Sequence, residues 1–296
     1  MAVCTPRVVA VVVTHSRPEE LRLVVDALLG QSLPLTRILV VDNASPIPAN
    51  QVLGTHPRVE IVRSDINTGG AGGFAFALET AARHAWDWVW MLDDDAVPAQ
   101  TALAELLRQA PALPADAGAL CSAVYEFSAL ATMHRRSFSA NTGRESPLPN
   151  ERYQAPFCQI DTGSFVGFLL ARQAFERAGL PDARFFLAYD DTEYSLRLKK
   201  LGFNLWLIPA SHINHLRLPG AKLRGSPFGP KHYYNIRNRI HVMRTYTRMP
   251  RLAGTKAILV GLALLLLAQE SFTPRALRLF IKSVQDGLQG RLGTIK

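Results

Sequence analysis

The sequence is short of cysteine and of long apolar runs. Its 296 residues include only Cys4, Cys121 and Cys158, far apart and with no CxxC. That excludes a disulfide-stapled scaffold and a zinc finger, and it points to a reducing compartment. No apolar stretch reaches the ~20 residues of a membrane-spanning helix. Residues 257–268 form a 12-residue apolar run between Lys256 and Glu270, which fits a core or interfacial helix. Residues 8–13 are too short for the apolar region of a secretory signal and read as a strand. Internal repeats are lacking, and disorder is excluded by a composition that is 48% hydrophobic and 19% charged. The body of the chain also lacks excess positive charge. Residues 1–216 hold 18 Lys and Arg against 22 Asp and Glu, whereas residues 217–296 hold 15 against 2. This is not the pattern of a nucleic-acid binder, and no nucleic-acid partner is expected. A basic tail of this kind suits phosphates or an anionic membrane surface.

The first half alternates strand and helix signals. Residues 7–14 (RVVAVVVT) read as a strand buried on both faces, and 37–42 (RILVVD), 59–63 and 86–92 (WDWVWML) as further strands. A helix opens at Pro18 and ends at Gly30, with Leu21, Val24, Val25 and Leu28 on one face, and residues 74–84 read as another. Strands separated by helix-length crossovers predict a parallel α/β sheet, in which ligands bind at the carboxyl ends of the strands. The polar residues fall at those ends: 14–17 after the first strand, 42–45 after the second, 93–95 after the fourth. Residues 111–156 are rich in Pro, Ala and Ser and give no clear element. Beyond them come helices over RQAFERAG and DTEYSLRLKKLGF, then a basic helix over 232–248. A catalytic domain over 1–220 and a basic helical region over 221–296 are expected.

Three constellations carry chemistry. Asp93-Asp94-Asp95 follows an apolar strand; adjacent carboxylates repel unless a cation neutralises them, and on a strand end Asp93 and Asp95 point to one side. A solvated acidic turn is the plainer alternative. Asp190-Asp191-x-Glu193 opens a helix, where it either serves the helix dipole or supplies a general base. Asn67-Thr-Gly-Gly-Ala-Gly-Gly-Phe74 contains Gly70-x-Gly72-x-x-Ala75, which satisfies a dinucleotide fingerprint. It follows the third strand rather than the first, so a backbone passing close to a sugar or pyrophosphate explains it equally well. His56, His84 and His134 have no supporting context and read as surface residues. His212 and His215 follow the strand-like LWLIP, and without cysteines or an HExxH helix they do not suggest zinc.

Taken in order, VVVTHSRPEEL, VVDNAS, NTGGAGGF, WMLDDDA, AYDDTEYSLRLKKLGF, the Asn214-His215 pair and YYNIRNR resemble the inverting family 2 glycosyltransferases of GT-A fold. The resemblance implies a mostly parallel α/β sheet flanked by helices, with Asp93 and Asp95 on the metal of a metal–nucleotide-sugar complex. Asp94 lies nearer the sugar or ribose, and the catalytic base is Asp191, second of the acidic pair. A metal-ligating histidine follows the base by 24 residues in the galactofuranosyltransferases, which singles out His215. Thr14, Arg17 and Asp42, with Asn67, fall where the family holds the nucleotide. Gly70, Gly72, Gly73, Gly163, Phe165, Asp190 and Arg237 are expected at the donor sugar or acceptor. The glycine motif and YYNIRNR look most like bacterial transferases that build galactofuranose or rhamnose into cell-surface polymers. Gly163-Ser164-Phe165 stands where polymerising members carry paired tryptophans, and their large N-terminal β-domain is missing, so a single addition is expected.

The resemblance further implies Mn²⁺ or Mg²⁺ as cofactor, the histidine favouring Mn²⁺, and a UDP or dTDP sugar as donor. The acceptor is polyprenyl-linked or an oligosaccharide. Arg237, Arg239, Arg244, Arg248 and Arg251 beside an apolar helix would seat the enzyme on anionic lipid at the inner face of the cell membrane, with two of them alternatively binding diphosphate. Two other enzyme classes share parts of the pattern. A metal-dependent nucleotidyltransferase would carry a glycine loop right after the first strand, where THSRP stands, and an NAD-dependent oxidoreductase would use the glycines. A non-catalytic binding protein has no need of Asp93, Asp95, Asp191 and His215 together.

Overall fold

The computed structural model describes residues 6–217, 223–269 and 273–295. Cys4, Glu270 and the expected domain boundary at 220/221 lie outside them. The strands are β1 (Val8–Thr14), β2 (Arg37–Asn43), β3 (Val59–Ser64), β4 (Trp88–Asp93), β5 (Ala96–Pro98), β6 (Ala117–Glu126), β7 (Ala129–Leu130), β8 (Arg135–Ser139), β9 (Arg144–Pro147), β10 (Cys158–Ile160), β11 (Thr162–Gly163), β12 (Phe168–Ala171) and β13 (Asn204–His215). The helices are α1 (Pro18–Leu29), α2 (Ala49–Leu53), α3 (Gly69–Ala81), α4 (Ala102–Gln109), α5 (Arg172–Ala178), α6 (Asp190–Lys200), α7 (Pro230–Tyr246), α8 (Pro250–Leu267) and α9 (Pro274–Gln289).

The main sheet runs β10-β13-β6-β12-β4-β1-β2-β3, with β5 added to β13 and β7 to β6. The ladders β4-β1-β2-β3 are parallel, as is β6-β13, while β12 runs antiparallel between β4 and β6. This is the α/β architecture expected. The continuous apolar strands feed two cores. Along β1, Val9, Val11 and Val13 face the core of α3 and α6, and Val8, Ala10 and Val12 face that of α1 and α4. Because the four parallel strands share a direction, Thr14, Asn43 and Asp93 emerge along one edge.

Two elements differ from the sequence reading. Helix α3 begins at Gly69, inside the glycine motif, rather than at residue 74. In the stretch that gave no clear element, β6 is a ten-residue strand at the centre of the sheet. Its small residues are required by close packing: a Cβ on Gly118 would lie 2.7 Å from Phe203 Cβ.

The basic helices α7, α8 and α9 form a third core that includes Phe185, Tyr189 and Leu196. Helix α8 meets its neighbours through a narrow stripe, Ala253, Gly254, Ala257, Gly261 and Leu265, spaced to lie on one side of the helix. Its 18 residues have a mean hydropathy of 1.6, long and apolar enough by that measure to cross a membrane, and only 28% of them are buried. The remainder of its surface shows Leu259, Leu262, Leu266 and Leu267.

Candidate active site

Strand β4 delivers Asp93, Asp94 and Asp95 to the sheet edge, and each acquires a different environment. Asp94 Oδ2 accepts hydrogen bonds from Thr14 Oγ1 (2.8 Å) and the His15 backbone N–H (3.1 Å), which ties it to the end of β1. Arg17, at the start of α1, reaches Asp94 Oδ1 at 3.1 Å and also pairs with Asp95. His215 arrives through the sheet: β13 pairs antiparallel with the short β5 so that His215 lies opposite Ala96, and Leu216 N–H donates to the Asp95 carbonyl. One ligand atom each from Asp93, Asp95 and His215 then lies within 4.8 Å of the others.

The electrostatics show a site short of positive charge. Burial, with the charges of Asp95 and Asp94, pushes Asp93 up to about 7, against the pull of His215 and Arg17. Asp94 is raised by burial to about 6 although Arg17 and Thr14 oppose it. Asp95 stays below its usual value because His215 and Arg17 outweigh its burial. His215, despite burial, is held at about 9 by Asp95, Asp93 and Glu126. Asp190, at the start of α6, is raised well above the carboxylate range by burial and then by Asp191 and Asp93. Asp95 Oδ1 is buried without a well-aligned hydrogen bond, although His215 Nε2 lies 3.2 Å away. Two carboxylates and one imidazole around an unsatisfied oxygen fit a divalent cation, whose charge would favour the ionised carboxylates and the neutral imidazole.

Beside this cluster a cavity of about 410 Å³ is lined by Thr14, Arg17, Asn67, Gly70, Asp93 and Asp94, six of the expected residues. His15 and Asn43, within the expected strand-end segments, also line it, as does Lys231, which was not anticipated. Asn43 ends β2 and organises the glycine turn: its side chain accepts from the Thr68 N–H and donates to the Gly69 carbonyl. Gly69 has φ +70°, and a Cβ there would lie 2.0 Å from the Phe186 carbonyl oxygen, so a side chain is excluded. Gly70 alone has open space beside it. A Cβ on Gly72 would meet Thr68 and one on Gly73 would meet Val13, both at 2.4 Å. These two glycines allow the close packing of α3, and they do not line the cavity. The motif opens the third helix, without the strand–turn geometry of a dinucleotide site. Asp42 is 1% exposed, and its oxygens accept from Ser45 N–H, Ala49 N–H and Arg63.

The acidic pair opens α6 after a loop with an unusual backbone. Phe186, Ala188 and Tyr189 all have positive φ near +65°, a conformation that non-glycine residues keep only when the surroundings impose it. The imposing groups come from YYNIRNR. The Asn238 side-chain amide reaches the carbonyls of Phe185, Leu187 and Ala188 at 2.8–3.0 Å. Arg237, 1% exposed, donates to the carbonyls of Arg184, Phe185 and Gly293. Arg237 therefore ties the loop to the segment that follows α9. Asp190 sits buried on the side of Asp93, while Asp191 lines a second cavity of about 400 Å³ with Arg136, Thr192, Arg224, Arg239, Val260 and Leu264. Asp191 Oδ1 accepts from Thr192 N–H and Oγ1, and Thr192 Oγ1 accepts from Arg136 Nη2 at 2.8 Å.

Two further expected residues are packed inside the protein. Phe165 is a core residue, in ring contact with Phe74, Phe168 and Tyr194. Gly163 is buried in β11, its N–H donating to Ser195 Oγ. His134, expected on the surface, is largely buried and bonds Ser164 Oγ and Glu126. His212 stays out of the cluster and stacks edge-on against Tyr125.

The chain's relationships agree with this geometry. The family described as glycosyl transferase family 2 matches residues 9–179. Galactofuranosyltransferase GlfT1 of Mycobacterium tuberculosis H37Rv is 34% identical over 204 residues, which cover 67% of this chain and 66% of that protein, just under two thirds of its length. The same-named protein of Mycolicibacterium smegmatis is 30% identical over 213 residues, 67% of each chain. Among solved structures, GalNAc-T7 with UDP, GalNAc and Mn²⁺ is similar with a TM-score of 0.64 at 14% identity, over 97% of this chain and 56% of that one. The mannosyltransferase PcManGT of Pyrobaculum calidifontis, in complex with GDP-Man and Mn²⁺, gives 0.58 at 15% identity over 98% and 89%.

Proposed function

The chain belongs to glycosyl transferase family 2, and from that premise we propose that it adds a single hexose, with inversion, from a nucleotide diphosphate sugar to an acceptor hydroxyl. Galactofuranose from UDP is the favoured donor, with rhamnose from dTDP next; the names of the sequence relatives support the first. The observation that carries the reading is the convergence of Asp93, Asp95 and His215 at the strand ends, between a cavity lined by Arg17 and Lys231 and one lined by Asp191. Asp93, Asp95 and His215 would hold Mn²⁺ or Mg²⁺, which supplies charge to offset the diphosphate leaving group.

The remaining chemistry belongs to the protein. Asp191 Oδ1 is anchored by Thr192, itself held by Arg136, so the carboxylate is oriented before the acceptor arrives. It takes the proton from the acceptor hydroxyl as that oxygen attacks the anomeric carbon opposite the nucleotide. Thr14, Asn67 and Gly70 border the nucleotide cavity, where Arg17 and Lys231 bring positive charge to the diphosphate.

The acceptor reading rests on the second cavity. Arg136, Arg224 and Arg239 share it with Val260 and Leu264, and Nε of both Arg136 and Arg239 is buried without a partner. Arg136 Nη1 pairs with Glu145 at 3.0 Å, and the net positive charge of the three arginines beside an apolar helix suits a phosphorylated, polyprenyl-linked saccharide. The exposed leucines of α8 join Leu277 and Ile281 of α9, with Arg248, Arg251, Lys256, Arg275 and Arg278 exposed nearby in sequence. These features would seat the helical region 221–296 in the plane of an anionic cytoplasmic membrane face, and the catalytic domain 1–220 on it. The test is transfer from UDP-galactofuranose or dTDP-rhamnose to a short prenyl-diphosphate-linked saccharide, with Mn²⁺ and with EDTA. The account expects a Mn²⁺-dependent product of inverted anomeric configuration; retention, or no transfer from either donor, overturns it.

A further inference from the structure

We infer that Glu126, at the end of β6, is a positioning residue for His215, locked in its turn by His134 and Ser164. The inference rests on the proposed role of Asp93, Asp95 and His215 as cation ligands and names what fixes one of them. The sheet creates the contact: β6 and β13 run parallel with Asn214 opposite Tyr125, which brings the next residue of each strand together. Glu126 Oε1 then accepts from His215 Nδ1 at 2.9 Å and from His134 Nε2 at 3.1 Å, and the two imidazoles stand edge to face, 5.3 Å apart at 89°.

Proton assignments follow along the chain of bonds. Ser164 Oγ accepts from Arg135 Nη1 at 3.2 Å and has its own hydrogen to donate to His134 Nδ1, 2.7 Å away, while the Glu126 carboxylate on Nε2 can only accept. His134, whose charged form is disfavoured by burial, therefore carries its proton on Nε2 and donates it to Glu126. Glu126 Oε1 accepts from both imidazoles, the bonding pattern of an ionised carboxylate, which offers acceptors only. An anionic acceptor on Nδ1 fixes the ring of His215, turns Nε2 towards Asp95 Oδ1 and makes that nitrogen a better donor.

The test measures Mn²⁺ binding to the full chain in the presence of UDP, read as free Mn²⁺ by electron paramagnetic resonance. Glu126→Gln keeps the shape and removes the charge; loss of an outer carboxylate of this kind typically weakens a metal site about 10–100-fold, and that is the expected range. In a His215→Ala background the same change is expected to alter affinity less than about threefold, because Glu126 acts through His215. Ser164→Ala, a smaller change, is expected to weaken binding about threefold or more. Wild-type-like Mn²⁺ affinity in both Glu126→Gln and Ser164→Ala, or an equal loss with and without His215, overturns the inference. If His215→Ala alone binds Mn²⁺ as tightly as wild type, the proposed ligand set fails, and this inference with it.

Discussion

His215 stands beside Asp95 because β13 pairs with the three residues that follow the aspartates. The register sets His215 opposite Ala96, and the Leu216 N–H closes on the Asp95 carbonyl. The cluster is thus assembled by backbone pairing, which tolerates less drift than two side chains reaching across a cleft. On the far side of Asp190, Asp191 is anchored on Thr192 and Arg136, so the proposed base and the cation ligands rest on separate rigid elements.

Replacing the proposed base separates chemistry from binding. Asp191→Asn is expected to lower kcat by 10²–10⁴-fold, the usual worth of a general base, with UDP affinity unchanged. Steady-state kinetics beside calorimetric UDP titration check this; a variant keeping more than about a tenth of wild-type kcat removes Asp191 from that role.

Asp42 should matter for stability rather than for nucleotide affinity. Its burial raises the pKa, but hydrogen bonds from Ala49, Ser45 and Arg63 outweigh that and hold it below 3.8. A depressed folded-state pKa contributes stability above the unfolded value and loses it as pH falls through the folded one. Asp42→Asn should therefore cost about 2–3 kcal/mol near neutrality, and the gap to wild type should close below about pH 4. Denaturant melts across pH 3–7 measure it; a constant gap contradicts this account.

Arg237 offers a test of packing against charge. Its guanidinium fork serves three carbonyls, a geometry that lysine cannot reproduce. Arg237→Lys and Arg237→Ala should both lower Tm by several degrees, since about 1 kcal/mol moves a chain of this size by roughly 2–4 °C. A lysine variant with wild-type Tm and weakened UDP binding would give Arg237 the phosphate role instead.

The exposed face of α8 predicts lipid binding. Leu262→Glu with Leu266→Glu should reduce sedimentation with anionic vesicles at least several-fold and leave UDP affinity intact, because both side chains are exposed. Equal sedimentation of the variant and the wild type excludes that face as the contact.

Much of this was legible in the sequence where local pattern and tertiary role agree. The β-branched runs of β1, β2 and β3 fall within one residue of their expected limits, and Thr14, Arg17, Asn67, Gly70, Asp93, Asp94, Asp95 and His215 do gather at the strand ends. Legibility failed where packing overrides propensity. Helix α3 opens on four glycines although glycine disfavours helix by about 1 kcal/mol; Phe186, Thr68 and Val13 leave no room for a Cβ at Gly69, Gly72 and Gly73. The small residues of β6 look like a linker, yet the strand lies at the sheet centre. Glu126 and His134 carried no local signal, since their meaning comes from β13, far away in the chain.

The central claim is tested most directly by titrating UDP into the full chain by calorimetry, with Mn²⁺ and with EDTA, for wild type and for Asp95→Asn. The account predicts UDP binding at least about tenfold tighter with Mn²⁺ and an Asp95→Asn variant that loses this gain. Equal UDP affinity in EDTA, or tight metal-independent binding of NAD instead, would contradict it.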